Sequence, residues 1–268
     1  MHKVSIITGV FNGNVKYVTD SIDSILNQTY SDFEYIIVDD GSEEEISQLL
    51  ETYCHQDDRV RLLRNSRNIG LTRSLNIGLY AATGQYVARM DADDICYPNR
   101  LGLQVSFLDA NPMVALVGAR FDELVNGAII PQRLPFVMGS AALCSRIIYF
   151  NPFCHSTIMA RRGPLIELGG YDSSYRLAQD YDFWLRLVAR YPVENLDISL
   201  LLRRMEDGIS VKEEQSQRQS AIRARYNAIR RQGFQLRHTR PLFLSVMAYL
   251  VGQRGRAAYR ALMGGKLS

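Results

Sequence analysis

The stretch Tyr86-Val87-Ala88-Arg89-Met90-Asp91-Ala92-Asp93-Asp94 passes from a strand-like, mainly apolar segment straight into three carboxylates within four residues. Such a segment reads as a buried strand that delivers acidic side chains to its carboxyl end. That is the rim at which open α/β sheets hold their ligands. Asp91 and Asp93 cannot lie side by side uncompensated, because like charges a few ångströms apart raise a pKa or recruit a cation. A hard divalent cation answers that need. Mg2+ or Mn2+ takes oxygen ligands, uses one or two protein carboxylates and completes its shell with phosphates and water. Taken alone, the cluster reads equally as a solvated acidic turn, so the rest of the chain decides.

Upstream, Val4 to Val10 is strand-like, and Val18, Ile22, Ile25 and Leu26 then recur at the spacing of one helix face. Phe33 to Val38 returns as a strand ending in Asp39-Asp40-Gly41-Ser42, and Ile46, Leu49, Leu50 and Tyr53 mark the next helix. Val60 to Leu63 gives a third strand, and Leu71, Leu75, Gly78, Leu79 and Ala82 a third helix, before Gly84 turns the chain into the Tyr86 strand. The alternation predicts an α/β fold with a mainly parallel central sheet flanked by helices. Three strand ends then share one rim: Phe11-Asn12, Asp39-Asp40 and Asp91-Ala92-Asp93. An aromatic beside carboxylates suits a nucleobase, with Phe11 stacking on its face and Asp40 accepting a base N–H. Gly9 to Asn14 is neither GxGxxG nor GxxxxGK[ST], which argues against a dinucleotide or P-loop site.

At 268 residues, 47% hydrophobic and 22% charged, the chain has material for an ordinary globular core. Cys54, Cys96, Cys144 and Cys154 lie far apart without CxxC spacing, so neither a zinc site nor a disulfide framework is indicated and a reducing cytoplasm is expected. No signal-peptide pattern precedes the first strand. From Arg218 to Lys266 there are eleven Arg or Lys and no Asp or Glu, which reads either as an anion-facing surface or as a solvated basic helix.

In the second half, Leu101, Val105 and Leu108 continue a helix that should stop near Asn111-Pro112. A Val114 to Gly118 strand follows, and Asn126-Gly127 predicts a hairpin that mixes antiparallel strands into the sheet. His155 lies in the turn-rich Asn151-to-Ser156 segment and reads as a hydrogen-bonded structural histidine or as a contact to phosphate or acceptor. Gln179 and Asp180 open a helix whose buried face is Phe183, Trp184, Leu187, Val188 and Tyr191. Asp180 is a helix-entry carboxylate or a simple cap. A polar helix is expected over Lys212 to Gln232. The apolar Leu242-to-Val251 and basic Arg254-to-Lys266 segments beyond it suit a peripheral membrane anchor or a docking helix. Pro241 to Val251 is about half the length a bilayer span needs.

Taken together and in order, several motifs resemble a family 2 glycosyltransferase with the GT-A fold. They are Val4-Ser5-Ile6-Ile7, Ser24-Ile25-Leu26-Asn27-Gln28-Thr29-Tyr30, Val38-Asp39-Asp40-Gly41-Ser42, Asn68-Ile69-Gly70-Leu71, Gly84-Gln85-Tyr86-Val87, the Asp91-Ala92-Asp93 block with Pro98-Asn99-Arg100, and Ala178-Gln179-Asp180-Tyr181-Asp182-Phe183-Trp184. The resemblance implies an inverting, metal-dependent transfer from a nucleotide diphosphate sugar to a saccharide, with Asp180 as catalytic base and Asp93 as ligand of Mn2+ or Mg2+. The expected donor contacts are Phe11, Asn12, Asp40, Arg73, Asp91 and Arg204, with His155 and Gln179 toward acceptor or phosphate. Residues 1–98 are expected to form the nucleotide-sugar half, 99–211 the acceptor half and 212–268 a helical tail. A UDP sugar is the first choice of donor. The acceptor is expected to be a surface polysaccharide, lipid-linked if the tail lies on the inner face of the cytoplasmic membrane; no nucleic acid partner is expected.

The chain departs from the family pattern twice. Gln179 stands where Glu is more frequent, which bears on acceptor choice, and Met205-Glu206-Asp207 follow Arg203-Arg204 where a histidine is frequent, which leaves phosphate neutralisation to the arginines. A sugar nucleotidyltransferase would bring a basic glycine-rich loop after the first strand and release pyrophosphate. A non-catalytic sugar-nucleotide-binding module would tolerate loss of Asp180.

Overall fold

Strand and helix alternate through the first half as the hydrophobic spacing predicts. A computed structural model describes residues 2–132, 136–205 and 213–231. In it, β1 (Val4–Val10), α1 (Val15–Leu26), β2 (Phe33–Asp39), α2 (Glu44–Gln56), β3 (Val60–Arg64), α3 (Leu71–Ala81) and β4 (Tyr86–Arg89) follow one another. β1 lies parallel between β2 and β4, and β3 lies parallel outside β2. The chain therefore reverses its direction of travel across the sheet between β1 and β4, opening a crevice at the carboxyl ends of those strands.

The second half extends the same sheet with strands of mixed direction. After β5 (Ile95–Cys96) and α4 (Arg100–Ala110) come β6 (Leu116–Val125), β7 (Ala128–Pro131), α5 (Ser140–Arg146), a 3-10 turn at His155–Thr157, β8 (Met159–Arg161), α6 (Arg162–Glu167), α7 (Gln179–Val188), β9 (Val193–Arg204) and α8 (Glu214–Arg231). The strand order is β3-β2-β1-β4-β8-β6-β9-β5, with β7 paired to β6. The β6–β7 hairpin turns at Asn126 and Gly127, whose φ values of 49° and 78° are what a two-residue primed turn requires. The strand expected over Val114 to Gly118 runs on as β6 into the hairpin, passing through register shifts against β9 between Ala119 and Asp122.

Successive residues of each strand point to opposite faces, and the core divides accordingly. Ile7, Ile36, Val38, Val87, Leu116 and Ala160 pack on one side with α3, α5, α6, α7 and α8. Ile6, Tyr35, Ile37, Ala88, Val117 and Met159 pack on the other with α1, α2 and α4. Arg100 is wholly buried, yet it faces no carboxylate. It donates instead to the carbonyls of Arg89 (2.9 Å) and Ile158 (3.2 Å) and toward Cys96 Sγ (3.0 Å), tying β4, β8 and β5 together behind the acidic loop.

The start of the tail is a docking helix. Ala224 and Ala228 of α8 are buried, Arg225 donates to Tyr181 Oη (2.9 Å) and the Tyr149 carbonyl (2.8 Å), and Asn227 donates to Tyr175 Oη (2.8 Å). Residues 232–268, with the apolar and basic segments expected to reach a membrane, lie outside the described residues. Among the described residues no helix is long and apolar enough to cross a membrane.

At the opposite end of the sheet from the crevice, Glu34 accepts hydrogen bonds from Ser5 Oγ (2.7 Å), Thr83 N (2.7 Å), Thr83 Oγ1 (2.6 Å) and Arg61 (2.5 Å), with its side chain 3% exposed. Burial alone would raise its pKa, but these donors lower it to about 2. A carboxylate depressed on folding stabilises above its unfolded pKa, and that stability is lost as pH falls through the folded value. A loss of about 3 kcal/mol between roughly pH 4.5 and 2 is expected from this group. Urea unfolding at a series of pH values checks it: Glu34→Gln should flatten the dependence in that window.

Candidate active site

At the end of β1, Phe11 is half-exposed at the rim, free on one side to receive a planar group. Asn12 adopts φ 53°; its N–H donates to Ser42 Oγ (3.0 Å), and its Oδ1 accepts from Glu43 N (2.8 Å) at the entrance to α2. Asp39 Oδ1 accepts from Ser42 N (2.9 Å) and Oδ2 from Ser47 Oγ (3.0 Å). Asp40, 3% exposed, accepts from Asn65 Nδ2 (2.8 Å), Ile69 N (2.9 Å) and Gly70 N (2.8 Å). Gly41 completes this knot: its φ is 78°, and a Cβ there would lie 2.6 Å from the Arg67 backbone.

The acidic loop after β4 is held by a buried cation. Arg89, 2% exposed, forms an ion pair with Asp91 and donates to Ser156 Oγ (2.9 Å). Ser156 in turn donates to Asp91 Oδ2 (2.7 Å) and accepts from Asp91 N (3.1 Å). Burial works against ionisation of Asp91, but Arg89 and Ser156 together hold it well below the usual carboxylate range. Asp93 and Asp94 lack such a partner in charge. Burial and then repulsion from their acidic neighbours push Asp93 up to about 6 and Asp94 to about 7. Oxygens of all three lie within 4.8 Å of one another. Neither Asp93 nor Asp94 forms an ion pair among the described residues, but Asp94 is 3% exposed and accepts from Arg204 N, which leaves the Asp93 carboxylate the more open to a hard cation. The clustered oxygens, with Asp93 and Asp94 lacking an ion-pair partner among the described residues, fit Mg2+ or Mn2+.

Arg204, at the end of β9, closes over this loop. Its Nε donates to the Asp93 carbonyl (3.0 Å), its guanidinium also reaches Asp20 (3.2 Å) and stacks on Tyr17, and its N–H donates to Asp94 Oδ1 (3.0 Å).

Asp180 faces the loop from the first turn of α7. The helix is entered through Ala178 at φ 57°, a left-handed conformation unusual for a residue with a Cβ. Burial raises the Asp180 pKa; the Tyr181 N–H, the Arg89 charge and the Asn151 amide oppose that rise. Asn151 Nδ2 donates to Asp180 Oδ2 at 2.7 Å. Helix α7 is itself stapled down by Arg186, which pairs with Asp182 (2.9 Å) and donates to the Leu168 (2.9 Å) and Gly170 (2.8 Å) carbonyls. The wall between Asp180 and Arg89 is aromatic: His155 Nε2 lies 2.8 Å from Tyr171 Oη and its ring contacts Trp184 edge-on.

Structure and expectation differ at several of these residues. Asp40 was expected to read a base N–H, but three protein donors occupy its carboxylate, and what it organises is the 65–70 loop. Asn12 likewise ties two strand-end loops together. Arg204, expected beside phosphate, is engaged with Asp20 and the acidic-loop backbone. His155 is kept neutral by burial and then by Arg89, which suits the hydrogen-bonded structural reading. Arg73 is exposed on the first turn of α3, and Gln179 is buried beside Asp180. Arg89, Ser156, Asn151 and Tyr171 were not singled out from the sequence. Only Arg89 carried a signal, as a charge inside an apolar strand.

A doubly wound sheet with an acidic metal-type loop at its switch point and a helix-entry carboxylate opposite defines the GT-A class of transferase. The family model "Glycosyl transferase family 2" matches residues 5–169, and the chain belongs to that family. It is 40% identical over 191 residues to the "Putative glycosyltransferase EpsE" of Bacillus subtilis (strain 168), covering 69% of this chain and 66% of that one. It is 32% identical over 194 residues to the "Amylovoran biosynthesis glycosyltransferase AmsE" of Erwinia amylovora, covering 70% and 71%. The chain spans a little under two thirds of several curated relatives it matches. Among solved structures, S. aureus TarS 1-349 in complex with UDP superposes with TM-score 0.72 at 20% identity, over 94% of this chain and 73% of that one. The mannosyltransferase PcManGT from Pyrobaculum calidifontis, in complex with GDP-Man and Mn2+, superposes with TM-score 0.70 at 18% identity, over 99% and 76%.

A cation at Asp93 and Asp94 must displace the protons that repulsion holds there. Calorimetric titration of Mn2+ in buffers of different ionisation enthalpy should therefore show proton release near pH 6.5 that fades by pH 8.5, and Asp93→Asn should abolish the binding heat.

Proposed function

We propose that the chain transfers a glycosyl group from a nucleoside diphosphate sugar, a UDP sugar first, to a saccharide hydroxyl with inversion, in surface polysaccharide synthesis. The observation that carries this reading is the opposition of Asp180 to the Asp91–Asp93–Asp94 loop across a chamber, where Asp180 senses the charge of both Arg89 and Asp91. The polysaccharide setting is supported by the AmsE relative, and the donor class by the UDP and GDP-Man in the TarS and PcManGT structures. Residues 1–98 are read as the donor half and 99–211 as the acceptor half.

Phe11 offers its exposed face to the base, and Arg89 and Ser156 aim Asp91 at the nucleoside side of the donor. Asp93, with Asp94 beside it, would hold a divalent cation, whose positive charge would favour departure of the diphosphate. Asp180, ionised, takes the proton of the acceptor hydroxyl as that oxygen bonds to the anomeric carbon. The bond from the anomeric carbon to the diphosphate oxygen breaks on the opposite side, so one displacement inverts the centre. No second carboxylate is needed as a nucleophile.

Asp180→Asn keeps the shape but removes the base, and general-base catalysis is worth roughly 10²–10⁴-fold. The variant should lose transfer by that factor while UDP binding in the presence of Mn2+ is unchanged. Near wild-type turnover would remove Asp180 from the role. Release of nucleoside diphosphate, together with an inverted product by NMR, is the expected outcome; pyrophosphate release would point to nucleotidyl transfer instead.

A further inference from the structure

The segment between α5 and the 3-10 turn makes parallel contacts along α7. Phe153 is 5% exposed and packs edge-on against Trp184 with ring centroids 6.3 Å apart, and Asn151 donates to Asp180. Asp180 and Trp184 are four apart on the helix and so share a face. Asn195 adds a third tether, donating to the Pro152 carbonyl at 3.2 Å. The segment is thereby fixed both along and across the helix.

The Asn151 amide has only one sensible orientation. Its Oδ1 accepts from Phe153 N at 3.2 Å, which turns Nδ2 toward Asp180. An amide oxygen facing the carboxylate instead would set two acceptors 2.7 Å apart and leave the Phe153 N–H without its acceptor. The donor is thus presented to the carboxylate by the turn itself.

We propose that Asn151 is a positioning residue for the base: it occupies Oδ2 of Asp180 and fixes the plane of the carboxylate that receives the acceptor proton. The inference rests on the reading of Asp180 as base. Asn151 does not touch the reacting atoms; it acts through Asp180. A hydrogen bond to the ionised carboxylate also favours the form that accepts a proton. The charged and titratable groups that sense Asp180 from neighbouring elements are Arg89 at the end of β4, Asp91 in the acidic loop and Tyr171 before α7. The Tyr181 N–H and Arg89 support ionisation and Asp91 opposes it, while Asn151 is the side chain whose hydrogen bond fixes Oδ2.

The test is the pH profile of kcat/KM for transfer by the full-length protein with saturating Mn2+, for wild type, Asn151→Ala, Asn151→Asp and Asp180→Asn. Asn151→Ala should lower kcat about ten- to a hundred-fold, the scale of one hydrogen bond to a charged group, with the acidic limb moved up by about one pH unit and UDP affinity unchanged. Asn151→Asp, nearly isosteric, places a second carboxyl within hydrogen-bond distance of the first, and the pair should share a proton at neutral pH. Its activity should return only on the alkaline side. If Asn151→Ala does not fold, as judged by its thermal midpoint and UDP binding, Asn151→Asp alone decides. An Asn151→Asp profile that matches wild type, with Asp180→Asn inactive, overturns the role of Asn151 and leaves the base assignment intact. Activity in Asp180→Asn overturns the base assignment itself.

Discussion

The site depends on one buried guanidinium. Arg89 ends β4 at the point where the sheet changes direction, and its side chain is almost wholly enclosed. Four carboxylates gather around that point, and clustered like charges raise one another's pKa unless a cation compensates them. Arg89 pairs with Asp91 directly and opposes the upward shift of Asp180 from across the chamber. It also adds to burial in keeping His155 neutral, so that ring serves as a hydrogen-bonding wall and not as a second cation. Removing Asp91 would leave the enclosed Arg89 charge without its ion-pair partner, and an unpaired buried charge is costly. Hence Arg89 sets both the stability of the loop and the charge states across it.

The rigidity of the rim has a related origin. Strand ends carry backbone N–H groups that the sheet no longer satisfies, and here acidic side chains take them up. Asp39 serves the turn into α2, and Asp40 reaches across to the N–H groups of Ile69 and Gly70 at the start of α3. Each bond to an ionised acceptor contributes about 1.5–3 kcal/mol. The adjacent aspartates therefore join two loops into one surface behind Phe11. Arg204 does the same on the far side, clamping the acidic loop to α1 through Asp20. With these loops fixed, Asp93 and Asp94 stand without an ion-pair partner among the described residues, and Asp93 is the more exposed of the two.

The parts legible in the sequence were those governed by local period and turn chemistry. Alternation of Ile6 with Ile7 and of Ile36 with Ile37 announced a sheet covered on both faces, and Asn126-Gly127 announced the hairpin. The carboxylates of the site were visible because three followed a strand and one opened a helix. Their partners were not. Ser156 and Asn151 meet Asp91 and Asp180 only because β8 inserts antiparallel between β4 and β6, a pairing between residues about 70 apart that no local pattern encodes. The orientation of Asp40 was hidden for the same reason, since its donors come from Asn65, Ile69 and Gly70 on the next crossover. An acidic residue at a strand end can face a ligand or its own backbone, and sequence spacing does not distinguish the two.

The neutral residue beside the proposed base bears on the same charge balance. Gln179 is 8% exposed and precedes Asp180 at the entrance to α7, where the family pattern more often has glutamate. Three arginines around the site are ion-paired, Arg89 with Asp91, Arg204 with Asp20 and Arg186 with Asp182, and Arg203 lies in the field of the acidic loop. A buried glutamate at position 179 would find no free counter-charge among the three ion-paired arginines. It would repel Asp180, raising the pKa of the group required to accept a proton, or would itself remain protonated. An amide of the same length keeps the donor and acceptor geometry and adds no charge. Beside a carboxylate whose pKa burial already raises, glutamine adds no further repulsion.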